Sequence, residues 1–295
     1  MVQKKEGATP TIVVIIRAFN AESFLEEAFQ SLLDQTSEAN IIIRILSDLG
    51  STDNTLQLSR EISSRKVSRV SIQLIEHQHA SPFRALLNFG LDKLDGDFFT
   101  FLDYDNKFPP YYLEGVVDLM VSGKYDFLFS NPRIFNEDGD QEMLVRDMPD
   151  DLKKLARLQM WSNRIDINAI VLSKKGADLV ASRLKSLSFQ SYDWIYEDWV
   201  IGNISILELR YTFTDAFSIK YRAHSQNITF GSQDLVKGIS HKQRLLLSRF
   251  AISTTEYSKL GIMNRTLLFL GIVNNILRLW RMGASLNRRI SGKSV

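Results

Sequence analysis

Residues Phe98 to Asn106 read FFTFLDYDN. A short apolar run, Phe98–Leu102, delivers two acids, Asp103 and Asp105, at its end. Such a run, bounded by polar residues, predicts a buried strand. In an extended chain the side chains at i and i+2 share one side. Two carboxylates held that close repel each other unless positive charge lies between or in front of them. A divalent cation carrying a diphosphate meets that need, because hard oxygen ligands suit Mg²⁺ or Mn²⁺. The competing reading of an isolated D-x-D is a surface turn with two solvated acids.

The segments before it alternate strand and helix. Thr11–Ile16, Ile41–Ser47 and Val70–Glu76 are apolar, β-branched runs with the character of strands. Asn20 is placed to cap a helix whose apolar residues Phe24, Leu25, Ala28, Phe29, Leu32 and Leu33 recur with helical period. Thr52–Arg65, Pro82–Leu94 and Pro109–Ser122 are further predicted helices, and Asp126–Asn131 a strand. This βαβα order predicts an α/β fold with a mostly parallel, Rossmann-like, doubly wound sheet flanked by helices. The pattern then changes. Arg133–Leu144 carries the turn signal Asn136–Gly139 and predicts a hairpin. Leu152–Trp161, Lys174–Leu184 and Glu197–Ile206 predict helices; Ile167–Ser173 and segments near Leu207–Phe213 and Phe217–Tyr221 predict strands.

With 295 residues, 44% hydrophobic and 24% charged, the chain can bury a core that needs no staple. Cysteine is absent, which excludes a disulfide framework, a thiol nucleophile and a Cys-based zinc site, and fits a cytoplasmic setting. The apolar run after Met1–Gly7 is too short for a secretory h-region, and no window approaches the ~20 apolar residues of a membrane span. The net charge of +2 conceals an asymmetry: Lys237–Val295 holds eleven basic residues and one acid, Glu256, for +10, which leaves −8 on the rest. The charge change places a boundary near residue 230, dividing a 1–230 α/β domain from a basic helical extension at 231–295. Within 265–295, the apolar stretch Leu267–Leu279 is followed by Arg281, Arg288 and Arg289 and includes Arg278. An amphipathic basic helix of this kind can lie on an anionic lipid surface, here the inner face of a membrane. It can equally pack on the domain or on a second subunit, as in a homodimer. Nucleic acid is disfavoured as a partner, because no aromatic residues interleave the basic run.

In a doubly wound sheet, ligands bind at the carboxyl ends of the strands. Those ends read Arg17-Ala-Phe-Asn20, Ser47-Asp-Leu-Gly-Ser-Thr-Asp-Asn-Thr55 and Asp103-Tyr-Asp105. With IIRAFNAESFLEEAFQSLLDQ around the first, and with Tyr-Glu-Asp-Trp at 196–199 and Tyr-Arg-Ala-His at 221–224, the ordered set resembles the family 2 glycosyltransferases over roughly residues 10 to 230. The resemblance implies the GT-A fold. It also implies sugar transfer, usually with inversion, from a nucleotide-diphosphate donor to a saccharide or lipid-linked acceptor, assisted by Mn²⁺ or Mg²⁺.

Carried over by motif, Asp48 accepts from the donor's base, and a carboxylate is suited to a base N–H. Phe19, Asn20, Ser51, Arg84 and Tyr104 belong with it to the nucleotide-sugar site, and Arg222 is a phosphate clamp. Asp105 bonds the metal; Asp103 reaches the ribose or a metal-bound water. His224 stands near the diphosphate or the metal, or is simply structural. Asp198 aligns with the general base, beside Glu197; acids at a helix start also serve plain dipole capping. Trp194 and Trp199 either stack on an acceptor sugar or pack in the core.

The chain departs from the family's pattern at Arg17 (commonly Pro), at Leu49, at Leu87 and at Asn106, which drops a frequent third acid but keeps an oxygen. These departures leave open a GT-A scaffold without catalysis. His77 and His79 lie in a polar stretch lacking a third ligand and are expected to be solvated. Residues 17–23 contain no glycine, which disfavours a nucleotidyltransferase phosphate loop or a dinucleotide fingerprint.

Overall fold

Runs of β-branched and aromatic residues fill the centre of the sheet because both its faces are covered. In the computed structural model, the described residues are 9–78, 81–91, 95–136, 139–144, 148–149, 151–186 and 195–223, with 245, 246, 248, 269, 270, 272, 273, 276 and 277. The strands are β1 (Thr11–Ala18), β2 (Asn40–Asp48), β3 (Val70–His77), β4 (Phe98–Asp103), β5 (Phe127–Ser130), β6 (Arg133–Asn136), β7 (Gly139–Leu144), β8 (Ile170–Ser173), β9 (Tyr211–Thr214) and β10 (Lys220–Arg222). The helices are α1 (Leu25–Leu33), α2 (Thr55–Ser63), α3 (Pro82–Ala85), α4 (Tyr112–Gly123), α5 (Leu152–Trp161), α6 (Lys174–Lys185) and α7 (Glu197–Glu208).

A seven-stranded sheet runs β3-β2-β1-β4-β8-β5-β9, and a second, three-stranded sheet runs β10-β6-β7. The main sheet is parallel except at β8, which pairs antiparallel with both β4 and β5. Alternate residues of each strand serve opposite faces. Ile12, Val14 and Ile16 pack with α1 and α4. Val13 and Ile15 join Phe99, Phe101, Phe127 and Phe129 under α6 and α7. The expected hairpin is present as β6–β7.

Four expectations are corrected in detail. The segment Pro82–Leu94 is not one α-helix: α3 passes into a π-turn, Leu86–Gly90, closed by Leu91 N–H donating to the Leu86 carbonyl at 2.9 Å. Ile167–Ser173 splits into a 3-10 turn, Ile167–Ala169, and β8. The helix α7 runs on to Glu208, so β9 starts only at Tyr211, and the strand expected near Phe217–Tyr221 is confined to β10, Lys220–Arg222. Asn20 does not cap α1, which starts at Leu25 with Phe24 at its N-cap.

The π-turn depends on an arginine in the middle of β2. Arg44 is fully buried, with Nη1 donating to the Gly90 carbonyl at 2.8 Å, Nη2 to Asp95 at 2.9 Å and Nε to Gln73 at 3.0 Å. Replacing it by methionine leaves a buried carbonyl without this donor, which costs 1–3 kcal/mol by order of magnitude, and opens space around the turn. Arg44→Met is expected to lower unfolding stability by about 2 kcal/mol or more in chemical denaturation.

Among the described residues, no helix is long and apolar enough to cross a membrane. The described part of the C-terminal segment is helical: Leu245 and Ile272 pack against the core, and the Ser248 hydroxyl accepts from Tyr196 N–H at 2.7 Å, just ahead of α7. Phe269, Leu270, Val273, Ile276 and Leu277 are exposed. Arg278, Arg281, Arg288 and Arg289 lie outside the described residues.

Candidate active site

The carboxyl ends of β1, β2 and β4 form one edge of the sheet, and two further segments reach that edge through topology. Because β8 is antiparallel, the turn preceding it, Ile167–Ala169, lies beside the end of β4. Because α7 leads through a short connection into β9, which is parallel to β5, its N-terminus stands at the same edge.

The first two loops are stitched together by side chains. Asn20 adopts a positive φ of 48°, a conformation Asn tolerates better than most residues. Its Oδ1 accepts from Thr52 N–H at 2.8 Å, and its own N–H donates to the Ser51 hydroxyl at 3.2 Å. Ala21 N–H donates to Thr55 Oγ1 at 2.6 Å and Glu22 N–H to Asp53 at 3.1 Å. Burial opposes ionisation of Asp53, but the bonds from Thr55 and the backbone outweigh it and hold the carboxyl below its usual range. Asp48 closes β2; it is buried, and its Oδ1 accepts from Gly50 N–H at 2.8 Å. Phe19 and Leu49 are exposed on either side of this loop pair. Arg84 is half-buried on α3. His77 is buried at the end of β3, opposite Asp48, with Nδ1 2.9 Å from the Gln78 carbonyl. The expectation that it is solvated is overturned, because the strand extends one residue further than the polar sequence suggests. His79 and His224 lie outside the described residues, as does Trp194.

At the end of β4 the extended backbone stops at Asp103, and Tyr104 and Asp105 form a turn, with Asn106 N–H donating to the Asp103 carbonyl at 3.1 Å. Asp103 and Asp105 therefore do not project as strand neighbours. Asp103 is engaged by the protein itself: Arg17 donates to Oδ1 through Nε at 2.9 Å and Nη2 at 2.6 Å, while Asn168 Nδ2 donates to Oδ2 at 3.2 Å. The Asp103 N–H also donates to Asn168 Oδ1.

The turn is held from behind by Arg222. Its Nε donates to the Asp105 carbonyl at 2.9 Å, its N–H to Asn106 Oδ1 at 2.9 Å, and its head group pairs with Glu27 between the rings of Phe24 and Phe135. The Asn106 oxygen thus faces β10 rather than a metal position. Glu27 also takes Lys107 Nζ at 2.5 Å. Burial opposes the charge on Glu27, yet the hydrogen bond from Lys107 and the charge of Arg222 draw its carboxyl below the ordinary glutamate range. A lowered folded pKa adds stability above the unfolded value of ~4.3 and loses it as the pH falls through the folded value. The Glu27 side chain is nearly half exposed, so solvent screening keeps that contribution below ~1 kcal/mol. The melting-temperature difference between wild type and Glu27→Gln is expected to be constant near neutrality, to shrink as the pH falls below the unfolded value of ~4.3, and to vanish once the pH is below the lowered folded value.

The field at this edge is negative. The Tyr104 phenol is pushed up to about 12 by burial and then by Asp105, Asp103 and Asp53. Among the described residues no three His, Asp or Glu side chains cluster as a metal cage. Two carboxylates in a negative field have the donor chemistry of a cation site whose remaining positions phosphate oxygens and water can fill. The chain's residues therefore fit a divalent cation.

Across the edge, Glu197 and Asp198 open α7, where the helix dipole favours acids. Their surroundings differ. Glu197 is buried and accepts from Arg17 Nη1. Asp198 is half-buried and accepts from Asn163 Nδ2 at 2.7 Å and Trp199 N–H at 2.7 Å. Trp199 is fully buried, with its indole N–H on the Gln159 carbonyl, so it packs in the core and does not face an acceptor. Arg17, Asn163 and Asn168 are site residues that motif reading missed. Only Arg17 carried a signal: a charge ending an otherwise apolar strand.

This edge, on this sheet, defines a GT-A type α/β protein. The fold matches S. aureus TarS 1-349 in complex with UDP-GlcNAc at a TM-score of 0.62, covering 90% of this chain and 72% of that one at 15% identity. It also matches the mannosyltransferase PcManGT of Pyrobaculum calidifontis in complex with GDP-Man and Mn²⁺ at a TM-score of 0.61, covering 98% and 77% at 16% identity. The family described as glycosyl transferase family 2 matches residues 13–179, more than half the chain, and the chain belongs to that family. An uncharacterized glycosyltransferase of Haemophilus influenzae is 36% identical over 37% of this chain and 32% of its own length. A second from the same organism is 28% identical over 62% of this chain and 69% of its own. Glycosyltransferase GlyA of Streptococcus pneumoniae is 32% identical over 43% of this chain. The chain spans about a third of the first of these relatives and 17% of GlyA.

Proposed function

We propose that the protein transfers a glycosyl group, with inversion, from a UDP-, GDP- or dTDP-sugar to a saccharide or lipid-linked acceptor. The observation that carries this reading is the meeting of Asp48, the Asp103–Asp105 turn and the Glu197–Asp198 helix start at one sheet edge. Asp48 is placed to accept from the donor's base, and Phe19, Asn20, Ser51, Arg84 and Tyr104 belong with it to the donor site. Asp105, with Asp103 behind it, would hold Mn²⁺ or Mg²⁺, whose chemistry there is to neutralise the diphosphate leaving group.

Asp198 takes the acceptor hydroxyl's proton as the new C1–oxygen bond forms and the C1–phosphate bond breaks. One displacement on the face opposite the leaving group inverts the anomeric carbon. Arg222 sets the backbone of the acidic turn through the Asp105 carbonyl and Asn106 Oδ1. His224 remains a further ligand of metal or phosphate in this proposal.

The setting is bacterial surface polysaccharide assembly. The exposed apolar side chains of Phe269, Leu270, Val273, Ile276 and Leu277, near Arg278 and Arg281 in sequence, support docking of the extension at the inner face of a membrane.

A scaffold without turnover is the second reading, favoured by the engagement of both Asp103 oxygens within the protein. One experiment separates the two. A panel of nucleotide sugars with and without Mn²⁺ is read by thermal shift and by nucleotide release, since binding to the native state raises the melting temperature. Metal-dependent stabilisation with nucleotide release supports the enzyme; neither effect, for any sugar, refutes it.

A further inference from the structure

Arg17 ties together three parts of the chain that sequence keeps far apart. It is the penultimate residue of β1, and its register partner on β4 is Asp103. Strand parity puts both on the face of Val13, Ile15, Phe99 and Phe101, the face covered by α7. The guanidinium therefore rises from the sheet edge with a carboxylate beside it and the first residue of α7 above it. Its Nε and Nη2 hold Asp103, and its Nη1 holds Glu197. The charge is partly buried and doubly paired, which keeps it a cation: burial opposes protonation, and Asp103 and Glu197 outweigh it.

An arginine fork fits this task because it is planar and rigid and donates in two directions at once. A lysine in its place is a point charge that cannot hold both carboxylates in one geometry. The neighbouring acids are left with different tasks. Glu197 is occupied by Arg17, whereas Asp198, one residue on, accepts from the side-chain amide of Asn163.

We infer that Arg17 is a positioning residue that locks the start of α7 to the end of β4, with Glu197 as its anchor on the helix, and so fixes Asp198 relative to the donor site. The inference rests on the proposed transferase reading and deepens it. It gives the Arg17 departure from the family's usual residue a role in the geometry of transfer, and it moves Glu197 from the chemistry to its support.

The test uses the full chain with Arg17→Met, Arg17→Lys, Glu197→Gln and the double variant Arg17→Met/Glu197→Gln. Turnover of the best nucleotide sugar of the panel, thermal melts, and binding of Mn²⁺ alone by its EPR signal are measured for each. A misplacement of about an ångström costs about 100-fold in rate. Arg17→Met is therefore expected to lower kcat by about 100-fold with donor KM within about threefold. Mn²⁺ binding should be at least as tight as in wild type, because a cation has been removed beside Asp103. Arg17→Lys should recover only part of kcat, and the double variant should fall no further than the worse single, since the two residues act as one unit.

Additive losses, an unchanged kcat in Arg17→Met, or losses of Mn²⁺ binding and melting temperature that track kcat would each overturn the inference. Should Arg17→Met not fold, Glu197→Gln carries the test: a loss of about 100-fold with a normal melt supports the lock, and normal turnover removes it. Wild-type protein that turns over no sugar of the panel removes the transferase reading itself. Wild-type turnover shared fully by the variants removes only the role of Arg17.

Discussion

Asp105→Ala is expected to abolish metal-dependent turnover of nucleotide sugars while leaving the fold in place. The side chain sits beyond the end of β4, in a turn whose backbone is fixed by other groups. Arg222 Nε holds the Asp105 carbonyl, and Arg222 N–H holds Asn106 Oδ1. Truncation at Cβ leaves both bonds in place, so the melting temperature should move little. What disappears is one of the charges that make this edge negative, and one whose carboxylate Arg17 does not hold. Loss of a single preorganised group that stabilises charge in a transition state costs about 10²–10³-fold, and loss of an acid facing a divalent cation should cost at least as much. Asp105→Asn keeps the shape and removes the charge, and it should resemble the alanine variant in activity. The measurement is nucleotide release against Mn²⁺ concentration. Wild-type activity in either variant would reject the assignment of Asp105.

The second large effect is expected at Asp198. An acceptor hydroxyl does not attack unless its proton leaves with the bond, and positioned proton transfer of this kind contributes about 10²–10⁴-fold. Asp198→Asn keeps one of the two oxygens; with Oδ1 still accepting from Trp199 N–H, α7 should start where it does now, while the bond that Asn163 Nδ2 makes to Oδ2 is lost. Donor affinity, read by thermal shift with nucleotide diphosphate and Mn²⁺, should match wild type, while transfer falls by about 10²–10⁴-fold. Asn163→Ala should show a smaller loss, because the amide orients the carboxylate without taking the proton. An Asp198→Asn variant that transfers sugar at the wild-type rate would return the base to another residue, with Glu197 excluded in turn if its own variant behaves as a positional one.

The two variants probe opposite sides of one cleft edge, and together with the Arg17 series they separate three contributions. In the proposed reading, Asp105 answers for the donor's charge, Asp198 for the acceptor's proton, and Arg17 for the distance between them. Asp105→Ala and Asp198→Asn act in different steps of the same event, so their effects on donor binding should differ even where their effects on transfer are similar.

By itself the sequence determined the elements and the edge on which polar groups gather. Runs such as Thr11–Ile16 and Phe98–Leu102 are apolar and β-branched or aromatic, and only a strand covered on both faces accommodates them. Helical periodicity around Leu25–Leu33 says which side of α1 meets the sheet. Acids at strand ends declare themselves because burial elsewhere in those strands is complete. Motif spacing named Asp48, Asp103, Asp105 and Asp198 as candidates, and the fold brings the strand ends and the start of α7 that carry them to one edge. The tertiary structure alone decided what depends on partners distant in the chain. The direction of β8 is invisible in IVLS, since a buried strand looks alike whichever way it runs, yet its direction brings Asn168 to Asp103. The π-turn at Leu86–Gly90 has the same apolar residues a regular helix would have, and it is held by Arg44, a charge that burial permits only through bonds to Gly90, Gln73 and Asp95. Arg17 reads locally as an odd residue ending a strand. Its meaning comes from register with β4 and from the face on which α7 lies, because side-chain contacts 86 and 180 residues apart follow from packing and leave no periodicity behind.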